Sequence, residues 1–301
     1  MTFRDLFYSD FYHVAFREIT ENTYEKRHWT FINSSKSEWF ADPFLFEWNG
    51  RHWLFVERMD KWRLLGSIAV CEIFDNLTTS KFKEVLIEPF HLSYPNVFDV
   101  DGEVYMIPET GTNRDIRLYH ATGFPYKWEF VKVLYDGVDF VDTSFIIKNQ
   151  RNHAVLNSYD WDSKSSYFFD LDLRTMTISR LPDNPSIMNE RNGGNAFVEN
   201  GSTYRVLQDC SKQYGAKIMI RRIDNHDFKA GVASDSFSFE LLPENLVISK
   251  NIKATRCHTY NRSTHFEVID FIAERFVWYG PIMAIRNKMF YELNKNTRVS
   301  G

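Results

Sequence analysis

The stretch Asp42-Pro43-Phe44-Leu45-Phe46-Glu47-Trp48-Asn49-Gly50-Arg51-His52-Trp53-Leu54-Phe55-Val56-Glu57 reads as a β-hairpin. Most of its side chains are aromatic or branched, which suits a pleated surface. Asn49-Gly50 at the centre supplies the positive φ angles of a two-residue hairpin turn. The stretch recurs. Tyr94-Pro95-Asn96-Val97-Phe98 leads to Gly102, Tyr105 and Glu109, and Gly193-Gly194-Asn195-Ala196-Phe197 leads to Gly201, Tyr204 and Gln208. In all three the turn glycine stands seven residues after a small residue (Pro43, Pro95, Gly194) and seven before a polar one. Asp142-Thr143-Ser144-Phe145, leading to His153 and Asn157, is a weaker copy without the glycine. His258-Thr259-Tyr260, leading to Phe266 and Asp270, is another, with a shortened turn.

The copies start at 42, 94, 142, 193 and 258. Intervals of about fifty residues suit a four-stranded unit repeated around an axis. Runs such as Gly66–Cys71 and Ile116–Tyr119 supply outer strands. No Pro-, Gly- or Ser-rich linker interrupts the series. The expectation is therefore an all-β chain: a five-bladed β-propeller over residues 1–271, with a short helical C-terminal tail over 272–301. That tail mixes Phe276, Tyr279, Met283, Met289 and Phe290 with Arg275, Arg286 and Lys288. Packing on the propeller is its expected role, with contact at a membrane surface left open.

Composition narrows the function. The chain has 301 residues, 44% hydrophobic and 17% aromatic, enough for one large β domain. Net charge is −4 and no basic block stands out, so nucleic acid is not an expected partner. Cys71, Cys210 and Cys257 form no CxxC pair and no disulfide framework, which fits a reducing compartment. Residues 1–20 lack the apolar core of a secretory signal, and no apolar run approaches the ~18 residues of a membrane span. A cytoplasmic setting, with peripheral contact at an inner membrane left open, is the resulting expectation. There is no metal-binding histidine spacing, no GxGxxG and no phosphate-binding loop, so no metal or resident cofactor is expected.

A hairpin brings its two ends together. Asp42 is thereby set beside Glu57, Tyr94 beside Glu109, Asp142 beside Asn157, Gly193 beside Gln208, and His258 beside Asp270. Propeller symmetry points all five pairs at one rim. Buried carboxylates are costly unless paired or used, so these positions are candidates for chemistry or for ties between blades. Two segments are denser in polar groups than the repeat requires. Glu88–Pro95 carries His91, Ser93 and Tyr94. Arg191–Asn195 with Gln208–Gly215 gathers Arg191, Asn195, Gln208, Asp209, Lys212 and Tyr214 beside glycines that permit close backbone approach.

Trp39-Phe40-Ala41-Asp42-Pro43-Phe44, His91-Leu92-Ser93-Tyr94-Pro95 with Tyr105–Glu109, Gln208-Asp209-Cys210-Ser211 with Tyr214-Gly215, and His258-Thr259 carry a family resemblance. Over roughly Trp29 to Asp270 the chain resembles the N-terminal domain of plant glucosamine inositolphosphorylceramide transferases and stand-alone bacterial relatives. More distantly it resembles five-bladed furanosidase-type propellers such as arabinanases and invertases. That resemblance implies a base or nucleophile at Asp42 and a tuning acid at Asp142. It also implies an acid at the start of blade four, where this chain has Gly193 and where Glu190 is the nearest carboxylate. The resemblance also implies a separate transferase domain after the propeller in the plant proteins, and no such domain is expected within these 301 residues.

Three functions compete at this stage. One is a glycosyltransferase of surface polysaccharide or glycolipid assembly, using a nucleotide-sugar donor and a carbohydrate or glycolipid acceptor. Asp42 would be its base, and Glu109 and Asp142 the other central acids. Glu57, His91, Ser93, Tyr94, Arg191, Asn195, Gln208, Asp209, Lys212, Tyr214 and His258 would bind substrate. Leaving-group charge would be met by Arg191, Lys212 and Lys217 instead of a proton. The second is a glycoside hydrolase or phosphorylase with Glu190 or Glu109 as acid. The third is a carbohydrate-binding propeller without catalysis.

Overall fold

The computed structural model describes residues 7–19, 29–34, 38–60, 63–148, 152–181, 187–188, 190–223, 237–241, 254–276 and positions 281, 282 and 285. Two strands, β1 (Tyr8–Glu18) and β2 (Thr30–Ile32), precede the first hairpin. Blade I is β3 (Glu38–Trp48), β4 (Arg51–Asp60), β5 (Gly66–Ile73) and β6 (Lys83–Leu86). Blade II is β7 (Ser93–Val100), β8 (Glu103–Thr110), β9 (Asp115–Gly123) and β10 (Lys127–Asp136). Blade III is β11 (Phe140–Lys148), β12 (His153–Asp160), β13 (Ser165–Asp172) and β14 (Thr177–Arg180), with β15 (Ile187–Met188) added at β13. Blade IV has a split first strand, β16 (Arg191–Asn192) and β17 (Phe197–Glu199), then β18 (Ser202–Asp209), β19 (Lys217–Ile223) and β20 (Phe237–Leu241).

Blade V joins the chain's two ends. β21 (Arg256–Arg262) and β22 (Phe266–Phe276) come from the last repeat, and β1 and β2 supply the outer strands. β1 runs antiparallel to β22 from Tyr8↔Phe276 to Glu18↔Phe266, so every residue of each strand is matched. Pairing first and last segments in one sheet closes the ring. The five-bladed expectation holds, but the expected boundary at 272 does not. Ile272–Phe276 are strand, because Ile272 and Ala273 are buried and paired with Tyr12 and Phe11. The helical tail is not supported as a whole: past Phe276 only Pro281, Ile282 and Ile285 are described, each in helical conformation, and the remaining ones, including Tyr279 and Met283, lie outside the described residues.

The hairpin turns carry the conformations their sequences require. Asn49 and Gly50 have φ of 51° and 71°, Asp101 and Gly102 50° and 87°, Asn200 and Gly201 50° and 74°. A second irregularity recurs at the other end of each first strand. Strand register jumps from Ala41 to Phe44, from Ser93 to Asn96, from Val141 to Ser144 and from Cys257 to Tyr260. In blade IV the corresponding Gly193-Gly194 separates β16 from β17. These are β-bulges, which unpair residues and re-aim side chains. In the first three blades the bulged residue is left-handed: Asp42, Tyr94 and Asp142 have φ of 47°, 47° and 53°. The bulges also correct the expected hairpin pairs by one or two positions, since Glu57 lies opposite Ala41, Glu109 opposite Ser93 and Gln208 opposite Arg191.

Apolar clusters fill the seams between blades. Phe44 and Phe55 meet Tyr94 and Met106 between blades I and II, and Phe16 and Val268 meet Leu54 and Val56 between V and I. An amide network lies inside this ring and draws on all five blades. Asn96 Nδ2 donates to Thr143 O (3.0 Å) and to Asn195 Oδ1 (2.9 Å), and Asn195 Nδ2 donates back to Asn96 Oδ1 (2.8 Å). The backbone N–H of Phe145 donates to Asn195 Oδ1 (2.8 Å), that of Asn195 to Asn261 Oδ1 (2.9 Å), and Asn261 Nδ2 to Pro43 O (2.8 Å). Such a buried network specifies one arrangement because each member is satisfied only there.

Candidate active site

The bulges deliver acids to the centre. Asp42 is 7% exposed, Glu57 6% and Asp142 2%, while Glu109 is half-buried. Asp42 Oδ1 accepts the Thr259 hydroxyl (2.8 Å) and lies 3.4 Å from His258 Nε2, and Asp42 Oδ2 accepts the N–H of Tyr94 (3.3 Å). Asp270 holds the other side. Its Oδ1 accepts from His258 Nδ1 (2.7 Å) and the N–H of Thr259 (2.9 Å), and its Oδ2 accepts the N–H of Asp42 (2.9 Å). Asp270 therefore fixes both the imidazole and the backbone of Asp42. Ligand atoms of Asp42, His258 and Asp270 lie within 4.8 Å of one another, but the hydrogen-bond donors on Asp270 make it an orienting group.

Blades II to IV supply the second half. Glu109 accepts the N–H of Asp142 (3.2 Å). Arg191 forks onto Asp142, with Nε donating to Oδ2 and Nη2 to Oδ1. Gln208 Nε2 donates to Asn192 O (2.7 Å) and reaches Asp142 Oδ2 at 3.4 Å. His91 Nε2 meets Glu57 Oε1 at 3.2 Å, and His91 Nδ1 accepts the N–H of Gly66 (3.0 Å).

Crowding these groups moves their protons. Burial lifts the Asp42 carboxyl to about 7; His258 opposes this, while Glu57, Asp270 and Asp142 add to it. Burial and the charge of Asp142 lift Glu109 to about 8 against the pull of Arg191. Burial alone would depress the two histidines, but Glu57 raises His91 to about 9, and Asp270 with Asp42 raises His258 to about 9. Asp42, Glu109 and Asp142 are thus close enough to feel one another's charge.

Beside the acids, a cavity of about 640 Å³ opens between blades III and IV, lined among others by Trp161, Lys164, Arg191, Gln208, Asp209 and Tyr214. Arg191 and Tyr214 belong to both regions. The guanidinium lies 5.0 Å from the Tyr214 ring and 5.3 Å from the Trp161 ring, and the Tyr214 ring lies 5.2 Å from His258. Arg191 stays charged despite burial because Asp142 faces it, and burial keeps the Tyr214 phenol protonated.

Several expectations about binding residues need correction. Tyr94 is 1% exposed; its ring packs on Phe44 at 4.7 Å and its hydroxyl bonds Ser144 Oγ (2.7 Å), so the side chain belongs to the core. Asn195 belongs to the axial amide network. Ser93 is buried as the strand partner of Glu109. Lys212 is exposed and does not line the cavity, and Lys217 is paired with Glu240 (2.5 Å) and Asp209 (3.7 Å). Glu190 is bound to Arg205 (3.0 Å) and Arg221 (2.7 Å), so a free acid at the start of blade IV is missing. Trp161 and Lys164 were not anticipated. Their signal was an aromatic residue inside the polar turn Asp160-Trp161-Asp162-Ser163-Lys164, where Trp161 is 43% exposed.

The fold and central site define a five-bladed β-propeller with an acidic axial site, and comparison with known proteins gives the particular family. Residues 30–279 match the family described as glucosamine inositolphosphorylceramide transferase 1, N-terminal, and the chain belongs to that family. A rice (Oryza sativa subsp. indica) protein named glucosamine inositolphosphorylceramide transferase 1 is 33% identical over 203 residues, 62% of this chain and 26% of its own length. Its Arabidopsis thaliana namesake is 30% identical over 206 residues, 65% and 27% of the respective chains. The chain thus spans about a quarter of the length of these plant relatives. Among solved structures, a family 117 glycoside hydrolase from Zobellia galactanivorans superposes with a TM-score of 0.53 at 12% identity, covering 89% of this chain and 91% of that one. The catalytic domain of a Coprinopsis cinerea GH62 alpha-L-arabinofuranosidase gives 0.53 at 12% identity, covering 78% and 90%. These likenesses establish the fold. Among the described residues no helix is long and apolar enough to cross a membrane.

Proposed function

We propose that this chain is a carbohydrate-active enzyme that transfers a sugar to a glycan or glycolipid hydroxyl, with Asp42 as general base. The observation that carries the reading is the convergence of Asp42, Glu109 and Asp142 from three blades beside a cavity fronted by Arg191. A carboxyl held near 7 exchanges a proton with an acceptor hydroxyl at neutral pH. Arg191, with Lys164 at the cavity wall, supplies positive charge for a diphosphate leaving group, which then departs without a proton. A nucleotide-sugar donor is the co-substrate of this reading, and assembly of a surface polysaccharide or glycolipid on the cytoplasmic side of a membrane its setting.

A second reading rests on Glu109. A carboxyl lifted to about 8 is protonated at neutral pH and is a candidate acid for glycoside hydrolysis or phosphorolysis. One experiment separates the two. Thermal midpoints are measured against a nucleotide-sugar panel, and sugar release is assayed on oligosaccharides. A shift with a nucleotide sugar, and turnover abolished in a folded Asp42→Asn variant, supports transfer. Silence across the panel with sugar release reverses the ranking, and glycan binding without turnover leaves a binding propeller.

A further inference from the structure

The acids of the central site occupy one end of the first strands. At the other end, where the ring closes between blades I and V, a second cluster joins Glu47 from β3, His52 from β4 and His265 from the β21–β22 turn. One carboxylate oxygen and one nitrogen from each imidazole lie within 4.8 Å of one another. Glu47 Oε1 is 3.1 Å from His265 Nδ1 and 3.7 Å from His52 Nδ1, and the two imidazole rings stand 4.8 Å apart.

Glu47 also binds the turn. It accepts the Thr264 hydroxyl (2.6 Å) and the N–H groups of Thr264 (3.1 Å) and His265 (3.3 Å). Burial opposes ionisation there, but the hydrogen bonds from Thr264, Ser263 and His265 prevail and bring the carboxyl down to about 2. Turn capping accounts for the carboxylate. It does not account for His52, whose Nδ1 is buried, faces Glu47, and has no hydrogen-bond partner. A buried polar atom without a partner is unfavourable, and a ligand would satisfy it.

We propose that Glu47, His52 and His265 bind a divalent transition-metal ion of the zinc class across the ring-closing seam. Two imidazoles and a carboxylate are ligands that zinc accepts, whereas calcium and magnesium prefer oxygen alone. Tetrahedral zinc with bonds near 2.0–2.1 Å sets its ligands about 3.3 Å apart; the Glu47 oxygen stands 3.1 and 3.7 Å from the two imidazole nitrogens, and all three atoms lie within 4.8 Å of one another. The hydrogen bonds from the turn would orient Glu47 as outer-shell partners orient metal carboxylates. Since the ligands come from the first and last blades, the ion would stabilise closure and leave the sugar site untouched.

The test is zinc titration of the full chain by competition with a chromogenic chelator, with thermal midpoints recorded in parallel. The expected result is one zinc per chain, a raised midpoint, and no response to magnesium. His265→Ala, at a side chain 63% exposed, keeps the fold and weakens zinc at least tenfold, and His52→Gln does the same. Absence of saturable zinc binding overturns the proposal. So does binding that survives both variants but is lost in Cys210→Ser, which would put the metal at the exposed thiol.

Discussion

The carboxylate of Asp270 accepts the backbone N–H of Asp42 at 2.9 Å across 228 positions of sequence, joining the last blade to the first at the candidate site. The same carboxylate holds His258 and the N–H of Thr259. Asp270→Ala would strand an imidazole and three N–H groups, those of Asp42, His258 and Thr259, in a buried site. Such a loss costs about 3–5 kcal/mol. Urea unfolding of the variant is expected to show that drop, and a change below about 1 kcal/mol would mean that Asp270 does not anchor the seam.

Stability should fall with rising pH between about 6 and 9.5. Asp42 and Glu109 are raised to about 7 and about 8, and His91 and His258 to about 9, above ordinary values of about 4 and about 6.5. Each group keeps its proton longer in the folded chain than in the unfolded one. Its contribution is complete below the unfolded value and is lost as pH passes the folded value. Glu47, lowered to about 2, is ionised in both states throughout this window and adds no slope. Urea midpoints across the range check the sign, and a flat or rising profile contradicts it.

Much of this was legible in the sequence because the repeat writes its turns openly. Asn49-Gly50, Asp101-Gly102 and Asn200-Gly201 marked three hairpins, and all three have the required positive φ. The use of β1 in blade V was not legible, since a strand that closes a ring has no local partner to announce it. The convergence of Asp42, Glu109 and Asp142 on the axis follows from repeat position. Tyr94 and Asn195 were misread as ligands for the same reason: repeat position says which residues approach the axis, but a bulge decides where each side chain points. Trp161 and Lys164 lie on a turn outside the repeated hairpin, where the period carries no information.

Trp161 is the cavity's exposed aromatic wall, with the Lys164 ammonium 3.6 Å from its ring. Trp161→Ala removes an amphipathic face that would stack on a sugar or a nucleobase. Because the ring is on the surface, stability should change by less than about 1 kcal/mol. Affinity for the substrate identified by the panel should fall at least tenfold, about 1.4 kcal/mol. Calorimetric titration reads both binding curves, and unchanged affinity would remove the cavity from the site.

Two glycines separate turn chemistry from close packing. Gly50 has φ 71° in a hairpin turn, and a Cβ there would meet nothing within 4 Å. Gly50→Ala therefore carries only the left-handed backbone penalty, about 1–2 kcal/mol. Gly194 has φ 153° and lies between the split strands of blade IV. A Cβ there would stand 1.9 Å from the carbonyl oxygen of Tyr260, which is backbone and cannot rotate away. The neighbouring contact is the N–H of Tyr260 donating to Gly193 O at 2.7 Å, so blades IV and V would have to part for the methyl to fit. Gly194→Ala should thus destabilise far more than Gly50→Ala, by about 3 kcal/mol or more, to the point of not folding. Parallel urea curves, or soluble yield where the variant does not fold, compare the two. Equal losses would mean that the close approach of blades IV and V does not hold the ring together.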